Sequence, residues 1–274
     1  MINIKNLSFS YDKFKVYEDF NLFVPEGQSC LMTGINGVGK STLLRLIAGV
    51  LAPDGGSILF DEKLGPNPKR KIGFISDKLS MYESLTVAQG IDLHKSVYEV
   101  KEFDDSLIKH TKIKYTQKIK ELSLGQRTIL HLSLILSAKP EILLIDEIIH
   151  SIDAYLRKVF LEQLIKLLSE RSLTIIMMNL NFHDIEHMID RVILLKDGTI
   201  AVDEEIDSLK GKVKKVITSN LPEGLPVITR SGPIDSPEFF IYPFLEEYKE
   251  LVNGQVVDLN LTEIVTAFIE GEYS

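Results

Sequence analysis

The sequence predicts an α/β protein, a parallel sheet with helices on its faces, and three observations predict it. Brief apolar runs at Gln28–Thr33, Glu141–Asp146 and Leu173–Leu180 are too short for helices and read as buried strands. Between them lie stretches of helical pattern at Lys40–Gly49, Ser123–Ala138 and Ile152–Ser169, and strand–helix–strand alternation makes a parallel sheet. The chain is also long enough: at 274 residues, 45% of them hydrophobic, it can bury roughly three quarters of its unfolded surface.

Taken in order, Ile2 and Ile4 alternate with polar neighbours, and Phe20–Val24 follows as a second short strand before the turn at Pro25–Gly27. Gln28–Thr33 runs into a glycine-rich loop, Gly34–Gly39, and a helix begins at Lys40. Asp54–Gly56 turns the chain into a strand at Ser57–Phe60. From Thr86 to about Thr116 the pattern is helical and comparatively polar, which suggests a subdomain beside the main sheet. Ser123 reads as a helix N-cap ahead of the apolar face Ile129, Leu130, Leu134, and Lys139–Pro140 ends that helix. After Leu173–Leu180 come a short helix and a hairpin, with Asp197–Gly198 turning Val192–Leu195 into Thr199–Val202. Asp203-Glu204-Glu205 reads as a solvated helix start. Past Lys210, Pro222, Pro226, Pro233, Pro237 and Pro243 mark a change of texture, and an amphipathic helix runs over Thr262–Glu270. The expected boundaries are therefore 1–210 and a small α+β extension at 211–274.

Composition excludes several classes. Thirty-nine acidic residues outweigh 31 basic ones for a net charge of −8, so nothing in bulk neutralises nucleic-acid phosphates and no nucleic-acid partner is expected. The greasiest stretches, Leu130–Ala138, Ile142–Ile145 and Leu173–Met178, fall short of the about 20 residues of a membrane span. Met1–Ser10 lacks the apolar core of a signal peptide. Cys30 is the sole cysteine, so no internal disulfide forms, and a soluble cytoplasmic protein is expected.

Chemistry concentrates in two places. Gly34-Ile35-Asn36-Gly37-Val38-Gly39-Lys40-Ser41 has glycines that let backbone N–H groups curl around phosphate oxygens, with a helix N-terminus behind them. Lys40 reaches the β- and γ-phosphates and the Ser41 hydroxyl can ligate Mg²⁺, so ATP with Mg²⁺ is the expected ligand. Gly34, Asn36, Gly37, Gly39, Lys40, Ser41 and the adjoining Thr42 form its cradle. Downstream, Ile142–Ile145 ends on Asp146-Glu147, two carboxylates that are costly at the end of a buried strand unless a metal or a proton employs them. Asp146 suits the metal and Glu147 a proton taken from attacking water.

Leu122-Ser123-Leu124-Gly125-Gln126 lies between these two, and with it residues 1–205 resemble the nucleotide-binding subunits of ABC transporters, whose signature is Leu-Ser-Gly-Gly-Gln. The resemblance implies a P-loop NTPase core with an antiparallel β-subdomain and a helical subdomain over about 86–138. It also implies a second ABC subunit, like or unlike, whose Ser123, Gly125 and Gln126 close over the nucleotide held by the first. Tyr11 resembles the aromatic that stacks on adenine, and Ser151-Ile152-Asp153 that family's D-loop, which places Asp153 at the nucleotide. Tyr82-Glu83-Ser84-Leu85-Thr86-Val87, Lys118-Ile119-Lys120-Glu121 and the final helix resemble the branch that exports drugs, peptides and antibiotics. That implies an integral-membrane permease as partner and a position on the inner face of the cell membrane.

Three departures from the pattern matter. Leu124 replaces a signature glycine. Asp77, after Gly73-Phe74-Ile75-Ser76, falls where the family has a glutamine, and a carboxylate there can still meet Mg²⁺ through water. The position of the family's switch histidine falls on Leu180, which cannot donate to phosphate; the alternative is His183, reached by shifting the spacing on both sides. Two functions therefore stay open: an ATPase that drives a permease, or a nucleotide-dependent clamp with weak hydrolysis paired with a more active homologue. His94, His110, His131, His150 and His187 show no metal-ligand spacing, and Cys30 reads as core packing.

Overall fold

Alternation builds the first sheet. Strand β1 (Ile2–Tyr11) buries Ile2 and Ile4, then Leu7 and Phe9. The change of parity between Ile4 and Leu7 coincides with a register shift at Asn6, whose φ of 49° marks a bulge that keeps Leu7 inward. β2 (Phe14–Val24) pairs antiparallel on one side of β1 and β4 (Gly55–Phe60) on the other. β2 starts at Phe14, earlier than the expected Phe20, because the tight turn at Asp12 (φ 49°) lets the chain pair at once with the end of β1.

The computed structural model describes residues 1–76, 81–146, 153–170, 173–178 and 185–271. They divide into two compact units, Met1–Cys30 with Gly39–Leu180, and Leu31–Val38 with Asn181–Ser274. In the first, β5 (Ile72–Ile75), β6 (Ile142–Ile145) and β7 (Thr174–Met178) form a parallel ladder, with Ile72 opposite Ile142 and Ile142 opposite Thr174. β3 (Ser29–Thr33) begins beside β7, where the Ile175 N–H donates to the Gln28 carbonyl at 3.0 Å. Every residue of β3, β6 and β7 is buried, as two-sided coverage requires.

Among the described residues this unit has four α-helices: α1 (Lys40–Ile47), α2 (Val87–Tyr98), α3 (Leu124–Ser137) and α4 (Ala154–Glu170). The helix expected over 86–116 is α2 alone. It opens on a reciprocal capping box between Thr86 and Gln89 and stops where Glu99 turns left-handed at φ 57°. Beyond it only a single 3₁₀ turn forms, at Ile108–His110. The polar run there bonds locally, with Asp104 accepting from the Ser106 N–H and Thr111 from that of Ile113, which competes with helix.

In the second unit the later residues of β3 lie beside β8 (Arg191–Lys196), which turns at Asp197–Gly198 into β9 (Thr199–Glu205). Asp203-Glu204-Glu205 is thus the end of β9, and its last residue, Glu205, is also the N-cap of the helix that follows. Partners from elsewhere hold it in register: Arg191 pairs with Asp203, while Glu204 accepts from Lys212 Nζ at 2.5 Å and Ser208 Oγ at 2.9 Å. Helix α5 (Ile206–Lys212) follows. An antiparallel sheet then forms from β10 (Lys214–Ile217), β11 (Val227–Ser231), β12 (Glu238–Ile241) and β13 (Gln255–Asp258), in the order β11-β12-β10-β13. Val216, Ile241, Phe244 and Val252 are its buried core, with Leu221, Leu225 and Tyr248 of the short α6 (Tyr248–Leu251) packed on them. The closing helix α7 (Leu261–Gly271) buries Leu261, Ile264, Val265 and Ala267 and packs on β11.

The Lys212 hydrogen bond, ahead of the Ser208 and Tyr242 contacts, holds the Glu204 carboxyl below its ordinary value. A carboxyl whose pKa is depressed by folding stabilises the fold above its unfolded value and loses that contribution as pH falls through the folded one. Glu204→Gln should therefore flatten the acid limb of the stability profile below about pH 4.3. Denaturant midpoints measured from pH 7 to pH 3 test this, and an unchanged acid limb would refute it.

Candidate functional site

β3 ends at a fully buried Thr33, and the chain must then turn away from the sheet within a few residues. Gly34 makes that turn at φ +139°, and a Cβ there would lie 2.4 Å from the Leu195 carbonyl oxygen, so only glycine fits. Asn36 and Gly37 are the exposed tip. Gly39, at φ +110°, is the N-cap of α1, and its missing Cβ leaves room for the Tyr17 hydroxyl and the Val16 methyl, each 2.7 Å from where it would sit.

This cap has a chemical consequence. Glycine supplies no side-chain acceptor to the first-turn amides of α1, and that turn carries no acidic residue. The positive end of the helix is left for an external anion. Lys40 opens the helix at only 6% exposure. The Ser41 hydroxyl donates to Asp146 Oδ1 at 3.3 Å, and Asp146, 4% exposed at the end of β6, donates its own N–H to the Ile75 carbonyl. Two oxygens from distant parts of the chain thus meet beside the helix N-terminus. Thr42, one step along, donates to the Tyr11 hydroxyl at 3.4 Å. Tyr11 is 42% exposed, and its ring lies perpendicular to that of Phe9 with centroids 4.9 Å apart.

Two glycines separate space from strain. Gly39→Ala meets both a left-handed backbone and a filled cradle, a cost of about 1–3 kcal/mol. Gly37→Ala, at φ +87° with nothing within 4 Å of its Cβ position, carries only the backbone cost of about 1–2 kcal/mol. Denaturant unfolding should rank Gly39→Ala as the less stable; equal losses would show that the Tyr17 contact yields.

Ser123 is the N-cap of α3: its Oγ accepts from the Gln126 N–H at 3.2 Å while Gln126 Oε1 accepts from the Ser123 N–H at 3.0 Å. Arg127 braces the loop before it, donating to the Leu122 and Lys120 carbonyls and pairing with Glu83 at 2.7 Å. Ser123 and Leu124 are exposed, and Gly125 and Gln126 half-buried. Asp153 caps α4, accepting from the Leu156 N–H at 3.0 Å. Asp77, Glu147, Ser151, Ile152, Leu180 and His183 lie outside the described residues.

A second concavity in this unit escaped sequence reasoning. It has a volume of about 490 Å³ between α2 and α3, and its walls include Phe74, Leu85, Leu93, Val97 and Ile135. Tyr82 stands 71% exposed at its edge. His94 and His131 also line it, and because they sit on different helices no local spacing reveals the pair.

A family model for ABC transporters matches residues 17–150. The chain is 32% identical to the ABC transporter ATP-binding protein YtrB of Bacillus subtilis, over 99% of each protein. The chain belongs to the ABC transporter ATP-binding subunits. This ABC ATPase is also 28% identical to the spermidine/putrescine import ATP-binding protein PotA of Fusobacterium nucleatum, over 98% of its own length and 70% of that protein's. Two solved structures share its fold. One is an ATP-binding subunit of an ABC transporter (TM-score 0.68, 21% identity, 77% of this chain and 92% of that one). The other is the ATP-binding cassette MJ0796 in a dimeric post-hydrolysis state with ADP and Pi (TM-score 0.63, 22% identity, 75% and 99%). The fold is thus the mixed α/β one of P-loop ABC ATPases, with its antiparallel β-subdomain. Among the described residues no helix is long and apolar enough to cross a membrane.

Proposed function

We propose that this ABC ATPase binds MgATP at the N-terminus of α1, pairs face to face with a second such subunit, and powers a membrane permease that exports its cargo. The observation that carries the nucleotide site is the Ser41–Asp146 contact at 3.3 Å beside an uncapped helix end. A hydroxyl and a carboxylate are the hard oxygen donors that Mg²⁺ takes, so these two residues would hold it, with Asp77 as a further ligand through water. Bound there, the ion would neutralise charge on the β- and γ-phosphates. Lys40 and the loop amides of Gly34–Gly39 grip the phosphates, Tyr11 stacks on adenine, and Glu147 takes the proton of the attacking water. From the facing subunit, Ser123 and Gly125 present the capped end of α3 to the γ-phosphate, and Asp153 lies close by. Closure and reopening of the pair would move the permease.

The permease docks, in this reading, in the apolar groove between α2 and α3. Exposed apolar surface beside a concavity is the usual mark of a protein contact, and Tyr82, Leu93, Val97 and Tyr98 all show such surface there. Export rests on the Tyr82–Val87 and Lys118–Glu121 segments and on the closing helix. The import proteins PotA and CysA among the relatives make direction the point to test. Inverted membrane vesicles holding a candidate permease partner should accumulate cargo when ATP and the purified subunit are added outside; loss of preloaded cargo would reverse the direction. The cell's inner membrane face is then its place of work.

Leu180 and Asp77 favour a second reading, a clamp with weak turnover beside a more active homologue. Steady-state ATP hydrolysis and ATP-dependent dimerisation of the purified chain, alone and with that homologue, separate the two.

A further inference from the structure

Against the phosphate loop lies a hydroxyl that no other group in the chain uses. Tyr17, opposite Phe9 in the β1–β2 ladder, is 1% exposed, and its ring packs on Phe20 with centroids 4.8 Å apart. Its oxygen sits at the Gly39 turn, 2.7 Å from where a Cβ on that glycine would be, yet it is buried with no hydrogen-bond partner among the described residues. Burial pushes the phenol above its ordinary pKa, so it stays a neutral O–H donor at every working pH. A phenylalanine ring would fill the same space, and a buried hydroxyl without a partner costs stability that phenylalanine would not. The oxygen therefore answers to a partner that arrives with another form of the loop.

The loop can supply one. A trans peptide points its N–H and its C=O in opposite directions, so each amide that turns towards a phosphate oxygen sends its carbonyl to the far side of the loop. Gly34, Gly37 and Gly39 all stand at positive φ, where glycine changes conformation with no Cβ to hinder it. On the Tyr17 side of the Gly39 turn, a carbonyl presented in this way meets a donor that has no other bond to make.

We propose that Tyr17 is a positioning residue for the nucleotide: its hydroxyl donates to a main-chain carbonyl at the Gly39 turn when the loop amides take up phosphate, and so fixes the loop in its phosphate-binding form. The proposal rests on the nucleotide reading above and adds a residue outside the loop that sets its affinity. Tyr17 acts through the loop and not on the nucleotide itself, since its oxygen is buried against Gly39 and out of reach of solvent. Effects of opposite sign follow. Without the hydroxyl, the nucleotide-free chain loses an unpaired buried polar group, whereas the loaded chain loses a hydrogen bond. A tyrosine that only packs would change neither state, or weaken both alike.

The test uses the full chain, magnesium and a slowly hydrolysed ATP analogue, with wild type, Tyr17→Phe and Lys40→Ala side by side. Denaturant midpoints without nucleotide read stability, and calorimetry reads affinity. Tyr17→Phe should keep or raise the midpoint and weaken binding about fivefold, the share of one neutral hydrogen bond. The ¹³Cζ resonance of Tyr17, assigned by its loss in Tyr17→Phe, should shift when wild type is saturated with the analogue. A lowered midpoint in Tyr17→Phe would overturn the assignment, as would an unshifted resonance. So would wild-type affinity in Tyr17→Phe where Lys40→Ala loses binding, and that result would leave the nucleotide site standing. Wild-type affinity in Lys40→Ala would remove the nucleotide site, and this proposal with it.

Discussion

Replacing Lys40 with alanine should all but abolish nucleotide binding. Lys40 is the first residue of α1 and is only 6% exposed, and a buried ammonium needs oxygen atoms to compensate its charge. The glycine cap behind it contributes backbone dipoles without a negative side chain, so the helix end and the ammonium attract the same anion. A charged hydrogen bond contributes about 1.5–3 kcal/mol, and contacts to both the β- and γ-phosphates place the loss at about a hundredfold or more in affinity. Fluorescent ATP-analogue binding measures it. Unchanged affinity in a folded Lys40→Ala chain would remove the phosphate loop from the nucleotide site. Tyr11→Ala should cost less, since one aromatic stack is worth about 1–3 kcal/mol.

Which parts of this molecule could be read from sequence follows from how local each signal is. The Ser123 cap is complete within four consecutive residues, Ser-x-x-Gln, and both of its hydrogen bonds form. The loop from Gly34 to Ser41 is contiguous in the same sense, and Gly34, Gly37 and Gly39 all take the positive φ that glycine allows. Ile142–Ile145 is apolar at every position, and no other element tolerates that so briefly. Signals that depend on distant partners are hidden. Asp203-Glu204-Glu205 looks like solvated helix until Arg191, Lys212 and Ser208 come to it from neighbouring elements. β5 is four residues long and follows a Pro-Lys-Arg-Lys run, so only its ladder with β6 declares it a strand. The end of α2 is set by one left-handed glutamate, a conformation with no mark in composition. Of the proposed nucleotide site, the loop from Gly34 to Ser41 and Asp146 at the end of β6 were legible as motifs. The Ser41–Asp146 and Thr42–Tyr11 contacts were not, because sequence alone cannot supply a distance.

Glu147→Gln is expected to bind ATP normally, to trap the closed dimer and to lose turnover by about 10² to 10⁴. The amide has the size and dipole of the acid but cannot take a proton, so the ground state survives and the chemical step fails. The same variant decides between the two functions. If the chain is chiefly a clamp, wild-type turnover is already low and Glu147→Gln changes it little; a large drop shows that hydrolysis is its work. Leu180 sharpens that choice. A missing contact to developing charge on the γ-phosphate costs about 2–4 kcal/mol in the transition state, so wild-type turnover should sit well below what the intact acid pair permits. Leu180→His then restores a donor and should raise turnover by about tenfold or more, whereas His183→Ala should leave it unchanged. The reverse pattern would assign the phosphate contact to His183, and the weak-hydrolysis reading would lose its basis. Dimers trapped by Glu147→Gln should form in either case, because in the proposed mechanism closure depends on the capped end of α3 meeting phosphate and not on the bond being broken.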